Sequence, residues 1–180
     1  MNNALTLLRI ETPEHPHYPM FLDTYVQSFP IDERRETENY RELLLPDIPF
    51  QLHTIAYQSE YLGFLTSWQL DESTCYIEHF AIDPSKRSQG LGGEVLQRFS
   101  DMHKEQTIIL EVEYPDTPQA IRRIDFYTRH GFTLWDTPYE QPPYRSTTSP
   151  LPLKLMTKGS ANAPDSTLIE TLHRTVYHWF

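Results

Sequence analysis

Three glycines, Gly90, Gly92 and Gly93, stand between an apolar strand pattern at residues 75–82 and a helical pattern that starts near Val95. A glycine-rich loop that opens a helix directs several unpaired backbone N–H groups to one point in space. Glycine also lets a ligand approach the backbone without obstruction by a Cβ atom. The residue types and their order therefore predict a site for phosphate oxygens.

Several classes of phosphate-binding protein share this arrangement. The G-x-x-x-x-G-K-[ST] string of a P-loop does not occur in the sequence. In the G-x-G-x-x-G string of a dinucleotide fold, Val95 takes the place of the third glycine, although Glu111 stands about twenty residues on, where a ribose-binding acid is expected. Three strand patterns at 50–58, 61–70 and 74–82 also follow one another without helices between them. A dinucleotide site and an ordinary structural turn therefore stay as alternatives.

Residues Arg87 to Gly92 (RSQGLG) resemble the [QR]-x-x-G-x-[GA] signature of the GNAT acetyltransferases. Residues 120–132 (AIRRIDFYTRHGF) resemble the helix of that family written A-x-x-x-x-x-F-Y-x-x-x-G-F, and residues 110–113 (LEVE) resemble its LEV strand. The resemblance covers residues 5–157. It implies an α/β GNAT fold, with a mixed, mostly antiparallel central sheet, flanking helices and an extra C-terminal helix. It also implies acetyl-CoA as co-substrate, with the pyrophosphate at the glycine loop.

The resemblance assigns the cofactor contacts to two neighbouring segments. The main chain at the end of the 74–82 strand would hold the thioester carbonyl by an oxyanion-type contact. That strand should separate from its neighbour to open a groove for the pantetheine arm. The predicted cofactor-binding residues are Phe80, Ala81, Ile82, Arg87, Ser88, Gln89, Gly90, Leu91, Gly92 and Gly93.

Acetyl transfer to an amine benefits from a proton acceptor, because an amine of pKa ~10.4 costs about 4–5 kcal/mol to deprotonate at pH 7. Glu111 matches the strand position that supplies a base in some family members, and Glu78 lies where other members place an acid. Glu113 is a weaker candidate for the base than either of them. Tyr127 matches the general acid that protonates the departing sulfur. The predicted catalytic residues are thus Tyr127, Glu111 and Glu78, against the alternatives of ion-paired or solvent-facing carboxylates and a buried aromatic residue.

Two segments flank the acceptor amine in the family. Here they are residues 28–35 (SFPIDERR) and the loop that contains Tyr139, Tyr144 and Arg145. Their aromatic and acidic residues suit a small amine or a peptide N-terminus, whereas the two arginines of the first segment suit an acceptor with a carboxylate or phosphate. The predicted function is acetyl-CoA-dependent N-acetylation of a primary amine in a ternary complex. A non-catalytic acyl-CoA-binding module is the alternative.

The helices and strands that must position these residues are predicted from the spacing of apolar residues and from the prolines and glycines that end each element. Besides the meander of three strands, the patterns predict a first strand at 4–10, helices at 20–29, 34–45 and 92–104, a strand at 107–113, a helix that begins at Thr117 and Pro118, strands at 132–135 and 151–157, and a last helix opened by a capping box at Thr167 and Glu170. Residues 1–158 would form the catalytic domain, and 159–180 a linker and a helix packed on it.

Bulk properties exclude several classes of partner. A formal net charge of −10 argues against nucleic acid, and no apolar run is long enough for a membrane span. The single cysteine, Cys75, suits a core position in a reducing compartment, so a cytoplasmic location is expected. His15 and His17 are too few for a metal site, and no metal is predicted. Pairing of two copies through the last helix stays an alternative to packing on its own domain.

Overall fold

Eight strands form one mixed sheet in the computed structural model, which describes residues 5–87, 90–145 and 147–178. The strands lie in the order β1-β2-β3-β4-β5-β8-β6, and β7 pairs with the first residues of β8. Among the paired strands of the described residues, β4 and β5 alone run parallel. The strands are β1 (Leu5–Ile10), β2 (Phe50–Tyr57), β3 (Glu60–Asp71), β4 (Thr74–Ile82), β5 (Thr107–Val112), β6 (Thr133–Leu134), β7 (Tyr139–Gln141) and β8 (Leu151–Lys158).

Helices cover both faces of the sheet. On one face, α1 (Tyr18–Ser28), the short α2 (Tyr40–Leu43) and α5 (Ser166–Leu172) enclose an aromatic core around Trp68. On the other face, α3 (Leu91–Met102) and α4 (Pro118–Arg129) pack over a more aliphatic core. The predicted meander is confirmed, because β2, β3 and β4 pair in sequence as antiparallel neighbours.

Two local predictions are wrong. Residues 34–45 do not form one helix: Arg34 is extended, and short 3₁₀ turns at Ile31–Glu33 and Thr37–Asn39 precede α2. The last helix begins earlier than the capping box predicted, since the carboxylate of Asp165 accepts a hydrogen bond from the backbone N–H of Leu168. In both places a nearby polar residue or a long-range contact outweighs the local pattern.

The C-terminal segment belongs to the aromatic core. Helix α5 continues into one π-helical turn at His173–Tyr177, and the side chains of Leu172 and Val176 are fully buried against the sheet. Trp179 and Phe180 lie outside the described residues. Among the helices that the structure describes, none combines the length and the apolar character that a membrane crossing requires.

Gly63 allows β3 to approach β4 at the point where β4 ends. Its φ is +154°, and a Cβ atom there would lie 2.3 Å from the carbonyl oxygen of Ala81. We therefore expect Gly63→Ala to lower the free energy of unfolding by about 2–3 kcal/mol, measured by denaturant unfolding. Gly90→Ala is the matched control, because Gly90 has a positive φ but open space around its Cβ position, and about 1 kcal/mol is expected there. Equal losses in both variants would contradict the steric explanation.

Candidate active site

A groove opens where β4 and β5 separate. Within these two fully described strands, pairing stops at Ile77 and Leu110, while β4 continues to Ile82 and stays paired with β3. On the side of β5, the main chain of the last β4 residues therefore has no strand partner, and it faces a cavity of about 320 Å³. The separation of the strands agrees with the sequence prediction. The cavity is lined by Ser28, Phe29, Ile77, Glu78, Phe80, Ala81, Ile82, Arg87, Leu110, Glu111, Gln119, Arg123 and Tyr127.

The glycine loop follows Arg87, which lines this groove. Gly90 precedes α3 with a φ of +74°, and none of the described atoms lies within 4 Å of its Cβ position. A glycine there has no side chain that could accept from the first N–H groups of α3. Arg87 reaches across the groove, donating to the Ile82 carbonyl at 3.1 Å and to the Ser28 hydroxyl at 3.1 Å. Ser88 and Gln89 lie outside the described residues.

The other two glycines of the loop make room for protein atoms. A Cβ on Gly92 would lie 3.4 Å from the ring of Phe126, and one on Gly93 would lie 2.7 Å from the ring of His130. Both rings belong to residues of the segment that resembles the second family motif. The two motifs therefore pack against each other, and the close contact fixes α3 relative to α4.

A bulge in β4 turns two consecutive side chains to the same face of the sheet. His79 pairs with Thr66 of β3, while Ile77 pairs with the next residue, Ser67, so Glu78 is left without a partner on β3. The bulge is closed by a hydrogen bond from the His79 amide to the Thr66 hydroxyl at 3.0 Å. Glu78 and His79 consequently both point into the aromatic core beside the groove.

Glu78 is held as an anion by a buried cation. Two nitrogens of the Arg35 guanidinium, Nε and Nη2, each lie 2.9 Å from Oε1 of Glu78, and both side chains are almost fully buried. The Trp68 indole and the Tyr144 hydroxyl donate to the same carboxylate, at 2.9 Å and 3.1 Å. Burial by itself would raise the pKa of Glu78, but the charge of Arg35, the adjacent His79 side chain and the hydrogen bond from Trp68 outweigh it and lower the pKa to about 2.

Glu111 is also deeply buried, but within the described part of the chain it receives hydrogen bonds from neutral donors only. Gln141 Nε2 donates to Oε2 at 2.9 Å, the Tyr177 hydroxyl lies 2.9 Å from both oxygens, and the Tyr139 hydroxyl donates to Oε1. Burial, together with the nearby negative charge of Glu78, raises the pKa of Glu111 to about 7, since the hydrogen bonds from the hydroxyls of Tyr139, Tyr76 and Tyr177 offset only part of the desolvation. Two carboxylates on one groove thus have widely separated proton affinities, an arrangement that assigns them different tasks.

Tyr127 lies on the side of the groove that α4 forms. Its ring packs against Phe126 and Phe132, with centroids 5.2 and 5.6 Å away, and only 8% of the residue is exposed. Burial raises the pKa of its phenol to about 12. The hydroxyl is therefore protonated at every physiological pH and available as a donor to an atom in the groove.

A smaller cavity adjoins the groove and shares four lining residues with it: Phe29, Glu78, Glu111 and Arg123. Glu33 and Glu113 also line it, and Arg123 donates to Glu113 at 2.6 Å. Burial, with the nearby charge of Glu113, raises the pKa of Glu33. The cavity is thus richer in carboxylates than in cations.

The two segments that the sequence linked to the acceptor, residues 28–35 and the loop that contains Tyr139, Tyr144 and Arg145, contact each other. Arg145 donates to the Arg34 carbonyl at 3.4 Å and contacts the Glu36 carboxylate. The expectation that both arginines of residues 28–35 could bind an anionic acceptor is wrong for Arg35, which is 1% exposed and committed to Glu78. An acidic residue in an apolar strand needs such a partner, but nothing in the sequence says which cation supplies it.

The contribution of the C-terminal segment to the site was not predicted from the sequence. Tyr177 comes from the π-helical turn and reaches Glu111 of β5, and Gln141 of β7 reaches both of them. Cys75 is buried as predicted, and burial raises the pKa of its thiol to about 12. No cluster of three or more histidine, cysteine or acidic side chains in residues 5–87, 90–145 and 147–178 is arranged to hold a metal ion.

Comparisons with known proteins agree with this geometry. A family model described as acetyltransferase (GNAT) family matches residues 14–132. A solved structure from Bacteroides thetaiotaomicron, described as belonging to the GNAT acetyltransferases, is 37% identical over 96% of this chain and 98% of its own, with a TM-score of 0.89. A search of curated proteins finds no match.

More distant structures share the fold. A GNAT acetyltransferase from Elizabethkingia anophelis with acetyl-CoA bound has a TM-score of 0.59 at 16% identity, over 88% of this chain and 99% of its own. The ribosomal-protein-S18-alanine N-acetyltransferase of Escherichia coli has a TM-score of 0.62 at 17% identity, over 91% and 98% of the two chains. The predicted fold class and the predicted family resemblance are confirmed.

Proposed function

The chain belongs to the GNAT acetyltransferase family, and on that premise we propose that it transfers the acetyl group of acetyl-CoA directly to a primary amine in a ternary complex. The observation that carries this proposal is the groove between β4 and β5, which has Glu111 on one side and Tyr127 on the other. Direct transfer fits the buried thiol of Cys75, whose raised pKa makes it unsuited to an acyl-enzyme route.

The groove fits acetyl-CoA as a substrate. The unpaired main chain at Phe80, Ala81 and Ile82 would hold the thioester carbonyl, and the N–H groups that follow Gly90 would hold phosphate oxygens. Arg87 adds a charged donor at the same end of the groove. Acetyl-CoA supplies the activated acyl group, and the residues of this chain supply its position and the proton transfers.

Glu111 is the proposed proton acceptor for the arriving ammonium group. A base works best when its pKa lies near the operating pH, and burial among neutral donors brings the pKa of Glu111 to about 7. Glu78 has a pKa near 2 and is ion-paired with Arg35, which makes it a weak base. Its proposed part is to hold Arg35 and the walls of the site in place.

The acceptor amine would approach through the small acidic cavity. Glu33 and Glu113 line it beside Glu111, and carboxylates attract a protonated amine before it gives up its proton. The same feature opposes an acceptor whose only charge near the amine is a carboxylate or phosphate. A small amine and a peptide N-terminus both fit this proposal.

Tyr127 is the proposed donor to the departing thiolate. We expect Tyr127→Phe to lower kcat by about 10²-fold, the low end for a positioned acid because burial makes this phenol weak. The KM for acetyl-CoA should stay close to that of the wild type, since the ring and its packing remain. The release of free thiol, measured during acetylation of an amine, tests this. A change confined to KM would instead indicate a binding role for Tyr127.

The proposed function is tested by thiol release over a panel of small amines and short peptides, combined with thermal shift in acetyl-CoA, CoA and NAD. We expect stabilisation by acetyl-CoA and CoA, and turnover with at least one amine that carries no acidic group near its nitrogen. Binding of acetyl-CoA without turnover across the whole panel would support the alternative of a non-catalytic binding module. Stabilisation by NAD alone would overturn the proposal.

A further inference from the structure

The C-terminal segment reaches the candidate catalytic carboxylate although it lies far beyond residues 14–132, which match the family model. Leu172 and Val176 anchor the segment in the aromatic core. Between them the chain widens into the π-helical turn His173–Tyr177. Such turns are frequent at functional sites, and this one directs Tyr177 towards β5.

The hydroxyl of Tyr177 lies at the centre of a polar network. It is 2.9 Å from both oxygens of Glu111, 2.9 Å from Nε2 of Gln141 and 2.9 Å from the hydroxyl of Tyr76. A hydroxyl has one proton to donate and two lone pairs that accept. Gln141 and Tyr76 can fill the lone pairs, which leaves the single proton of Tyr177 for the carboxylate of Glu111.

The same segment also supports the other carboxylate of the groove. The carbonyl oxygen of Val176, the residue before Tyr177, accepts a hydrogen bond of 2.5 Å from Nη2 of Arg35, and Arg35 pairs with Glu78. The ring of Tyr177 packs on Tyr144, with centroids 5.1 Å apart. One turn of helix therefore contacts the partners of both Glu78 and Glu111.

We propose that Tyr177 is a positioning residue of the active site, which holds the Glu111 carboxylate in place and, by donating to its charged form, sets the pH at which it can accept a proton. This inference rests on the proposed role of Glu111. A hydrogen bond to the charged form of an acid favours that form. Loss of the hydroxyl should therefore leave Glu111 protonated up to a higher pH.

The test is Tyr177→Phe in the full chain, with glutamate labelled by ¹³C at the side-chain carboxyl and titrated by NMR. The Glu111→Gln variant identifies the Glu111 signal. We expect the Glu111 carboxyl to titrate with a midpoint near pH 7 in the wild type, and we expect that midpoint to rise by about 1 pH unit in Tyr177→Phe. In an acetylation assay, kcat/KM should fall about fivefold at pH 7 and recover by pH 9, because a tenfold change in proton affinity alters only the ionised fraction.

Tyr18→Phe is the matched control. Tyr18 is a buried tyrosine of the same core, and its hydroxyl has no hydrogen-bond partner among the described residues, so the Glu111 midpoint should not move. An unchanged midpoint in Tyr177→Phe, or unfolding of that variant, would overturn the inference in favour of a purely structural role. The titration needs no acceptor, so failure of acetyl transfer by the wild type would count against the proposed function alone.

Discussion

Replacing Glu111 by Gln should lower kcat/KM for acetyl transfer by about 10²–10⁴-fold, the usual contribution of a positioned general base. Glutamine keeps the size of the side chain and an oxygen that can accept from Tyr139 or Tyr177, so the fold should persist. The wild type should become more active as the pH rises through about 7, because only the deprotonated carboxylate of Glu111 can take the amine proton. The variant should lose that rising limb of the pH profile.

Rates at a series of pH values, with circular dichroism to verify folding, are the measurements for Glu111→Gln. Glu170→Gln is the control, because Glu170 is an exposed carboxylate on α5, and it should behave as the wild type does. A Glu111→Gln protein with an unaltered rate and pH profile would contradict the role of Glu111 while leaving cofactor binding untouched.

Much of the fold could be predicted because local signals and the global fold agree. Strands β2, β3 and β4 are rich in aromatic and β-branched residues with short polar turns between them, which is typical of an antiparallel meander. Thr117 and Pro118 predicted the start of α4, and the Thr117 hydroxyl does accept from the Ala120 N–H at 3.1 Å. Such short-range interactions are encoded within a few neighbouring residues.

The failed predictions involve partners that are distant in the sequence. The helix predicted at 34–45 requires Arg35 to be helical, but the Arg35 side chain pairs with Glu78, 43 positions along the chain. Burial of a charge without its partner would cost far more than the small helix propensity gained. Helix propensity cannot reveal that requirement.

The candidate site likewise contains residues that could be predicted from local motifs and one that could not. The groove, Glu111 and Tyr127 were predicted because they belong to short motifs with a recognisable spacing. Tyr177 follows Val176 in a helix that the sequence predicted to pack on its own domain or to pair with a second copy, but not to reach the site. Its contact with Glu111, 66 positions away, depends on the π-helical turn, which no local sequence pattern predicted. A buried acid does need donors, but the sequence does not identify them.

Glu78 and Glu111 show how one groove gives two carboxylates opposite properties. Both are deeply buried, so desolvation acts on both in the same direction. The largest difference is Arg35, which pairs with Glu78 and is itself packed between the rings of Trp68 and Tyr144, at 5.3 and 4.8 Å from their centroids. Removing this cation should therefore have a large effect on stability.

Replacing Arg35 by Met should lower the free energy of unfolding at pH 7 by about 3–5 kcal/mol, because a buried carboxylate loses its counter-charge. For a chain of this length, the melting temperature should fall by roughly 2–4 °C for each kcal/mol. Thermal and denaturant unfolding measure the change. The double variant Arg35→Met, Glu78→Gln removes both charges and should recover a large part of the loss.

The pH dependence of Arg35→Met separates the lost charge from lost packing. In the wild type the pKa of Glu78 is about 2, below its usual 4.5, so the stabilisation from the ion pair is present above pH 4.5 and is lost as the pH falls towards 2. In the variant, burial without a cation raises that pKa above its usual value, so its stability should increase as the pH falls from 7 towards 4.5. The difference between the two proteins should therefore narrow on acidification. A difference independent of pH would make contacts of Arg35 with Trp68 and Tyr144 the cause.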